Sequence, residues 1–140
     1  RVPVRTFARH YAEEGADCSR AVNNPHTLEA SVTSLVRLDM DDGEYGSAYR
    51  RLMEVTPAAD KIESVADHHY LLWWVLKSES VQREGIEDLS PDKARELVEM
   101  HRLKALELFT ELYSHTNKWQ YGHRIDELEG KQDENDHTTT

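Results

Sequence analysis

The chain has 140 residues, with 17 Lys and Arg against 27 Asp and Glu, for a formal net charge of −10. That length suits one domain with a real core, and the acidic balance argues against nucleic acid as the main partner, because phosphate binding needs a cationic surface. The longest apolar run, Tyr70 to Leu76, falls far short of the roughly 20 residues a membrane-spanning helix requires, and the single cysteine, Cys18, excludes an internal disulfide and reads as a free thiol in a reducing compartment.

Residues 1–26 read as an irregular N-terminal arm. Pro3, Gly15 and the Asn23-Asn24-Pro25 turn interrupt it, leaving room for a short helical stretch from Thr6 to Glu14. Arg1, Arg5 and Arg9 precede every acid in the chain. An acid-free, Arg-containing start has two readings: a mitochondrial targeting segment or its remnant, or a basic arm that packs on the acidic body. The mitochondrial reading sets the expected location, with the cytoplasm as the alternative.

Residues 27–129 read as the helical domain. Thr27 caps a first helix with Leu28, Val32, Leu35 and Val36 on one face, ending between Asp39 and Gly43. A second helix runs from Glu44 to Val55 over Tyr45, Ala48, Tyr49, Leu52 and Met53. Thr56-Pro57 has the form of a cap followed by proline, and predicts a third helix reaching Ser80. That helix turns apolar on every side between Tyr70 and Leu76, so it is either central or offers a face to another chain. Ser90-Pro91 repeats the cap signal for a helix to Ser114, lined by Ala94, Leu97, Val98, His101, Ala105, Leu108 and Leu112. The linker from Val81 to Leu89 is short enough to set the last two long helices antiparallel. A shorter helix from Lys118 to Glu129 follows, and residues 130–140 form an acidic polar tail with nothing to bury. The fold expectation is therefore all-α: an irregular bundle of about five helices, with the arm and the tail at its ends.

Few residues combine into recognisable chemistry. The run from Asp39 to Glu44 resembles a calcium loop but puts Glu44 where the loop needs glycine and Arg50 where it needs a bidentate Glu, so it reads as an acidic turn between helices. His68, His69, His101 and His115 raise the question of a metal, and His69 and His101 fall on apolar faces of helices expected to pack together. The Glu-x-x-His pairs of bundle metal sites are absent from those helices, which favours buried, hydrogen-bonded histidines. Asp67 sits about 100° around the helix from His68 and shares no site with it by spacing alone. No nucleophile elbow or phosphate-binding glycine loop is present, and neither a cofactor nor a metal is expected. The aromatic residues carry the stronger signal. Trp73 and Trp74 are adjacent, so they cannot both occupy one narrow stripe, and Trp is enriched at binding hot spots. The expected partner-binding residues are Tyr70, Leu71, Trp73, Trp74 and Trp119.

Residues from about 58 to 119 carry Ile62, Asp67-His68-His69-Tyr70 with Trp74, the stretch Gly85 to Pro91, Glu99-Met100-His101 and Ala105-Leu106. In these residues the chain resembles the C-terminal part of an uncharacterised bacterial domain family of unknown function. It departs where that family brings Ala-Leu closer to Glu-x-His and follows it with Asn-Trp; this chain has Glu107-Leu108. The resemblance implies a helical domain and no particular activity. The functional expectation is a non-catalytic accessory or adaptor subunit that binds other protein subunits. The alternatives are a small helical enzyme or metal-binding protein centred on His68, His69 and His101, and a free-standing regulator that binds one partner.

Overall fold

The 3.6-residue periodicity is realised as seven helices in a computed structural model that describes residues 4–21, 25–87 and 89–130. In chain order they are α1 (Val4–Ala21), α2 (Pro25–Asp41), α3 (Tyr45–Glu54), α4 (Ile62–Leu76), α5 (Glu79–Glu84), α6 (Pro91–Thr116) and α7 (Trp119–Glu129). Among the described residues there is no strand, only an isolated bridge between Ile86 and Leu89. The expected turn at Asn23-Asn24 and the tail beyond Gly130 lie outside the described residues.

Several helix ends follow local chemistry as expected. Ser90 is extended and its hydroxyl accepts from the Lys93 N–H at 3.2 Å, with Pro91 behind it in the first turn of α6. Gly43 takes φ +76° between α2 and α3, and Gly130 takes φ +77° after α7, conformations that a Cβ disfavours.

Three elements depart from the sequence reading. The N-terminal arm is not irregular: α1 runs for 18 residues through Gly15. A Cβ on Gly15 would come within 2.6 Å of the Ser31 hydroxyl oxygen, and Ala12 and Ala16 bury beside Leu35 on the same side. Gly15 thus faces α2, where a Cβ would require the Ser31 hydroxyl to turn aside. The Thr56-Pro57 cap goes unused. The chain is extended at Val55, turns where the Lys61 N–H donates to the Ala58 carbonyl at 3.0 Å, and enters α4 only at Ile62. The stretch from Pro57 to Lys61 has only two alanines to bury, so helix there gains little packing. The linker, finally, contains the short helix α5, with Val81 fully buried.

The long helices α4 and α6 make the most extensive contact in the fold. They run antiparallel: Leu76 packs in one cluster with Ala94, His69 meets His101, and Leu112 borders the same hollow as Ile62 and Asp67. The main core surrounds α4 with Val32 and Val36 of α2, Ala48 and Leu52 of α3, Ala105 and Phe109 of α6, and Tyr121 and Leu128 of α7. Coverage by four helices explains why residues 70–76 are apolar on every side.

The first helix is tied down by charge. Asp39 is 3% exposed; its Oδ1 accepts from Arg9 Nη1 at 2.6 Å and its Oδ2 from Arg51 Nε at 2.7 Å. Arg9 Nη2 also reaches Asp42 Oδ2 at 2.8 Å. One carboxylate thus joins α1, α2 and α3, and Arg9 packs on the acidic body as the second reading of the arm expected.

Candidate functional site

The central position of α4 decides the fate of the expected partner-binding residues. Tyr70, Leu71 and Trp73 are buried in the main core and present no surface to another chain, which corrects their assignment as contact residues. Trp74 is half-buried and packs against the same core, with the Arg37 guanidinium 5.8 Å from its ring centre. The reason is the coating of α4 on several sides, which a single-helix pattern does not reveal. Trp119 is different: it is 72% exposed at the start of α7.

The chain brings Trp119 to the surface through one turn. Asn117 closes α6 in the left-handed conformation, φ 56°, and its N–H donates to the Tyr113 carbonyl at 2.8 Å. The chain then folds back and α7 packs along the end of α6. Gly122 permits the close approach, since a Cβ there would sit 3.2 Å from the Tyr113 ring. Tyr113, 40% exposed, and Trp119 border a hollow of about 640 Å³ with Ile125 in its wall and Asp126 and Glu129 at its edge.

α7 is a firm platform for this surface. Tyr121 and Leu128 anchor it in the core. The buried Tyr70 hydroxyl donates to Glu127 Oε2 at 2.7 Å. Arg124 Nη1 donates to Glu127 Oε1 at 2.8 Å and to the Tyr70 oxygen at 3.1 Å, with its guanidinium 4.2 Å from the Tyr70 ring centre. Burial, reinforced by the bond to Glu127, raises the Tyr70 pKa above its ordinary value, so the phenol keeps its proton to donate.

The histidines divide as their helical spacing requires. His68 borders a crevice with Val32, Leu52 and Val55, whereas His69 turns toward α6, where its Nδ1 lies 2.8 Å from His101 Nδ1. Two identical ring atoms at that distance share one proton: one ring donates and the other must be unprotonated at Nδ1. Burial, then the neighbouring His69 and His68, lowers the His101 pKa to about 4. Burial, then His69, lowers His68 to about 4. His69 is lowered by burial and by the charge of Lys104. His115 is exposed on the last turn of α6, its Nδ1 2.8 Å from the Glu111 carbonyl oxygen. Among the described residues no group of three or more His, Cys, Asp or Glu is placed to hold a metal ion. The Asp39–Glu44 run is a helix-to-helix turn whose first carboxylate is committed to Arg9 and Arg51.

No helix among the described residues is long and apolar enough to cross a membrane. No protein family, curated protein or solved structure matches this chain. Tyr113 is the surface residue that sequence reasoning missed. It becomes part of a patch only because α7 folds back over Gly122, and nothing local to residue 113 signals that.

Proposed function

We propose that the chain is a non-catalytic helical accessory or adaptor subunit that docks into a larger protein assembly through the α6–α7 surface. The observation that carries this reading is Trp119, 72% exposed beside Tyr113 on a helix fixed to the core. A large aromatic side chain on a pre-ordered platform loses little freedom on binding and supplies much of the contact area, the pattern of interface hot spots. The occupant we assign is a segment of a partner protein with an apolar anchor flanked by Lys or Arg. Asp126 at the edge of the hollow and the net charge of −10 favour that sign.

The test is the native size of the tagged chain recovered from its source, compared with Trp119→Glu. The expected result is a defined complex with the wild-type chain, and a free chain of unchanged helical circular dichroism with the variant. A wild-type chain that travels alone, or a complex indifferent to Trp119→Glu, overturns the proposal. Its mitochondrial extension is supported by the acid-free stretch from Arg1 to His10, although Arg9 also has its structural bond to Asp39. A fluorescent fusion carrying that stretch at its N-terminus that stays in the cytosol removes the extension.

A further inference from the structure

The hollow between α6 and α7 has two chemically different ends. At one end Trp119 stands in the first turn of α7, and the His123 ring one turn on meets it edge to face, with ring centres 6.4 Å apart and planes at 63°. That contact steadies an indole that is otherwise mostly in solvent. Nothing charged is needed to occupy this end; an apolar or aromatic side chain laid on the indole removes its surface from water.

The other end is built around Gly122. Trp119 lies three residues before it and Asp126 four residues after it, so the three share one face of α7 and the glycine leaves a gap between the two side chains. Helix side chains lean toward the N-terminus, which aims the Asp126 carboxylate back over the turn of Gly122. The Tyr113 ring occupies that side, 3.2 Å from where a Gly122 Cβ would sit. Carboxylate and aromatic ring therefore border one space. Among the described residues the Asp126 side chain takes no hydrogen bond or ion pair, and no Lys or Arg lines the hollow. The other charges of α7 are engaged: His123 Nε2 lies 3.3 Å from Glu127 Oε1, and Arg124 bonds to Glu127 and Tyr70. Glu129 acts on Arg102, whose guanidinium it helps to keep charged.

Building on the docking role of this surface, on which the assignment depends, we propose that it takes an extended partner segment with an apolar residue and an arginine two positions apart. The apolar residue lies on Trp119, and the arginine crosses the Gly122 gap with its guanidinium on the Tyr113 ring and against Asp126. Arginine suits this end better than lysine, because a planar guanidinium stacks on an aromatic face and pairs with a carboxylate through its fork of N–H donors. The spacing follows from geometry. Seven residues of helix separate Trp119 from Asp126 by about 10 Å. Side chains two apart on an extended chain share a side and stand about 7 Å apart, and the length of an arginine spans the difference.

The experiment titrates the purified chain with the acetylated, amidated tripeptides Leu-Ser-Arg and Arg-Ser-Leu, observed through the Trp119 indole N–H and the Gly122 amide resonances. Citrulline in place of arginine keeps the shape and removes the charge. The expected result is a saturable shift at both resonances with at least one of the two orders, severalfold weaker binding of its citrulline counterpart, and a lysine counterpart between them. Asp126→Asn, which breaks no bond among the described residues, is expected to erase the preference for arginine over citrulline while the melting temperature stays unchanged. No saturable shift with either order, equal binding of arginine and citrulline by the wild type, or a preference that survives Asp126→Asn would each overturn the assignment. Failure of the docking role shows separately, as a wild-type chain recovered alone from its source. A native complex lost with Trp119→Glu but undiminished with Asp126→Asn would leave the docking role standing and overturn the arginine.

Discussion

Replacing Asp39 with Asn keeps the side-chain volume and removes the charge between two guanidinium groups. The carboxylate is 3% exposed, whereas Arg9 and Arg51 are 27% and 26% exposed. Breaking a fully buried ion pair by removing one partner costs roughly 3–5 kcal/mol, because the remaining charge stays desolvated. Here the remaining charges are the arginines, and each retains enough exposure to recover part of its hydration. The expected loss is therefore lower, about 2–3 kcal/mol, and includes the approach of two like charges. Urea denaturation at neutral pH measures it, and added salt changes it little because the carboxylate is shielded from solvent. Arg9→Ala should act differently. It releases α1, whose buried apolar anchors among the described side chains are Ala12 and Ala16, while Arg51 keeps Asp39 paired. Amide exchange in α1 should then accelerate while α4 and α6 stay protected. An Asp39→Asn loss below about 0.5 kcal/mol, the range of ordinary surface changes, would refute the idea that this carboxylate organises the first three helices.

Acidification should destabilise the fold through the histidines. Their folded-state pKa values lie below the unfolded value, so their contribution is complete above about pH 6.5 and is lost as the pH falls toward 4. For His101, the fall from 6.5 to about 4 sets a ceiling of roughly 3–4 kcal/mol at ~1.4 kcal/mol per unit, and His101→Leu should flatten the melting temperature against pH in that window. Gly85→Ala should cost at least about 2 kcal/mol, from a backbone region reserved for glycine and a Cβ placed 2.4 Å from the Leu89 carbonyl oxygen. Gly43→Ala has nothing within 4 Å of the added Cβ, so it should cost only the conformational penalty of about 1 kcal/mol. Equal losses at the two glycines in thermal melts would contradict this account.

What the sequence disclosed was local or periodic. The stop at Gly43, the Ser90-Pro91 start and the apolar face of α6 follow from capping chemistry and a repeat of 3.6, and all three appear in the structure. The placement of His69 and His101 on facing helices was legible for the same reason, though their shared proton was not. What stayed hidden depends on residues far apart in sequence. Gly15 read as a breaker because its contact with Ser31 lies on another helix. Thr56-Pro57 read as a cap because propensity does not report what the following turn can bury. Tyr70, Leu71 and Trp73 could be read either as core or as a contact surface, because one helix cannot show how many neighbours will cover it. The Arg9–Asp39–Arg51 link joins residues 30 and 12 positions apart, and neither separation leaves a pattern.

The coating of α4 bears on how this chain can be divided. Among the described side chains its covering residues run from Val32 to Leu128, so no shorter contiguous piece contains both the helix and all of these. A cut in the turn after α5 would leave one fragment with α4 bare along the side that meets α6, and another with the complementary face of α6 equally bare. Each piece alone would expose core surface to water, and each is the other's best match. The two should recombine into the parent fold when mixed, whereas either by itself should aggregate or stay unfolded. Tyr121 and Leu128 complete an enclosure that α2 begins, so a chain cut before the last helix should leave this core open on one side.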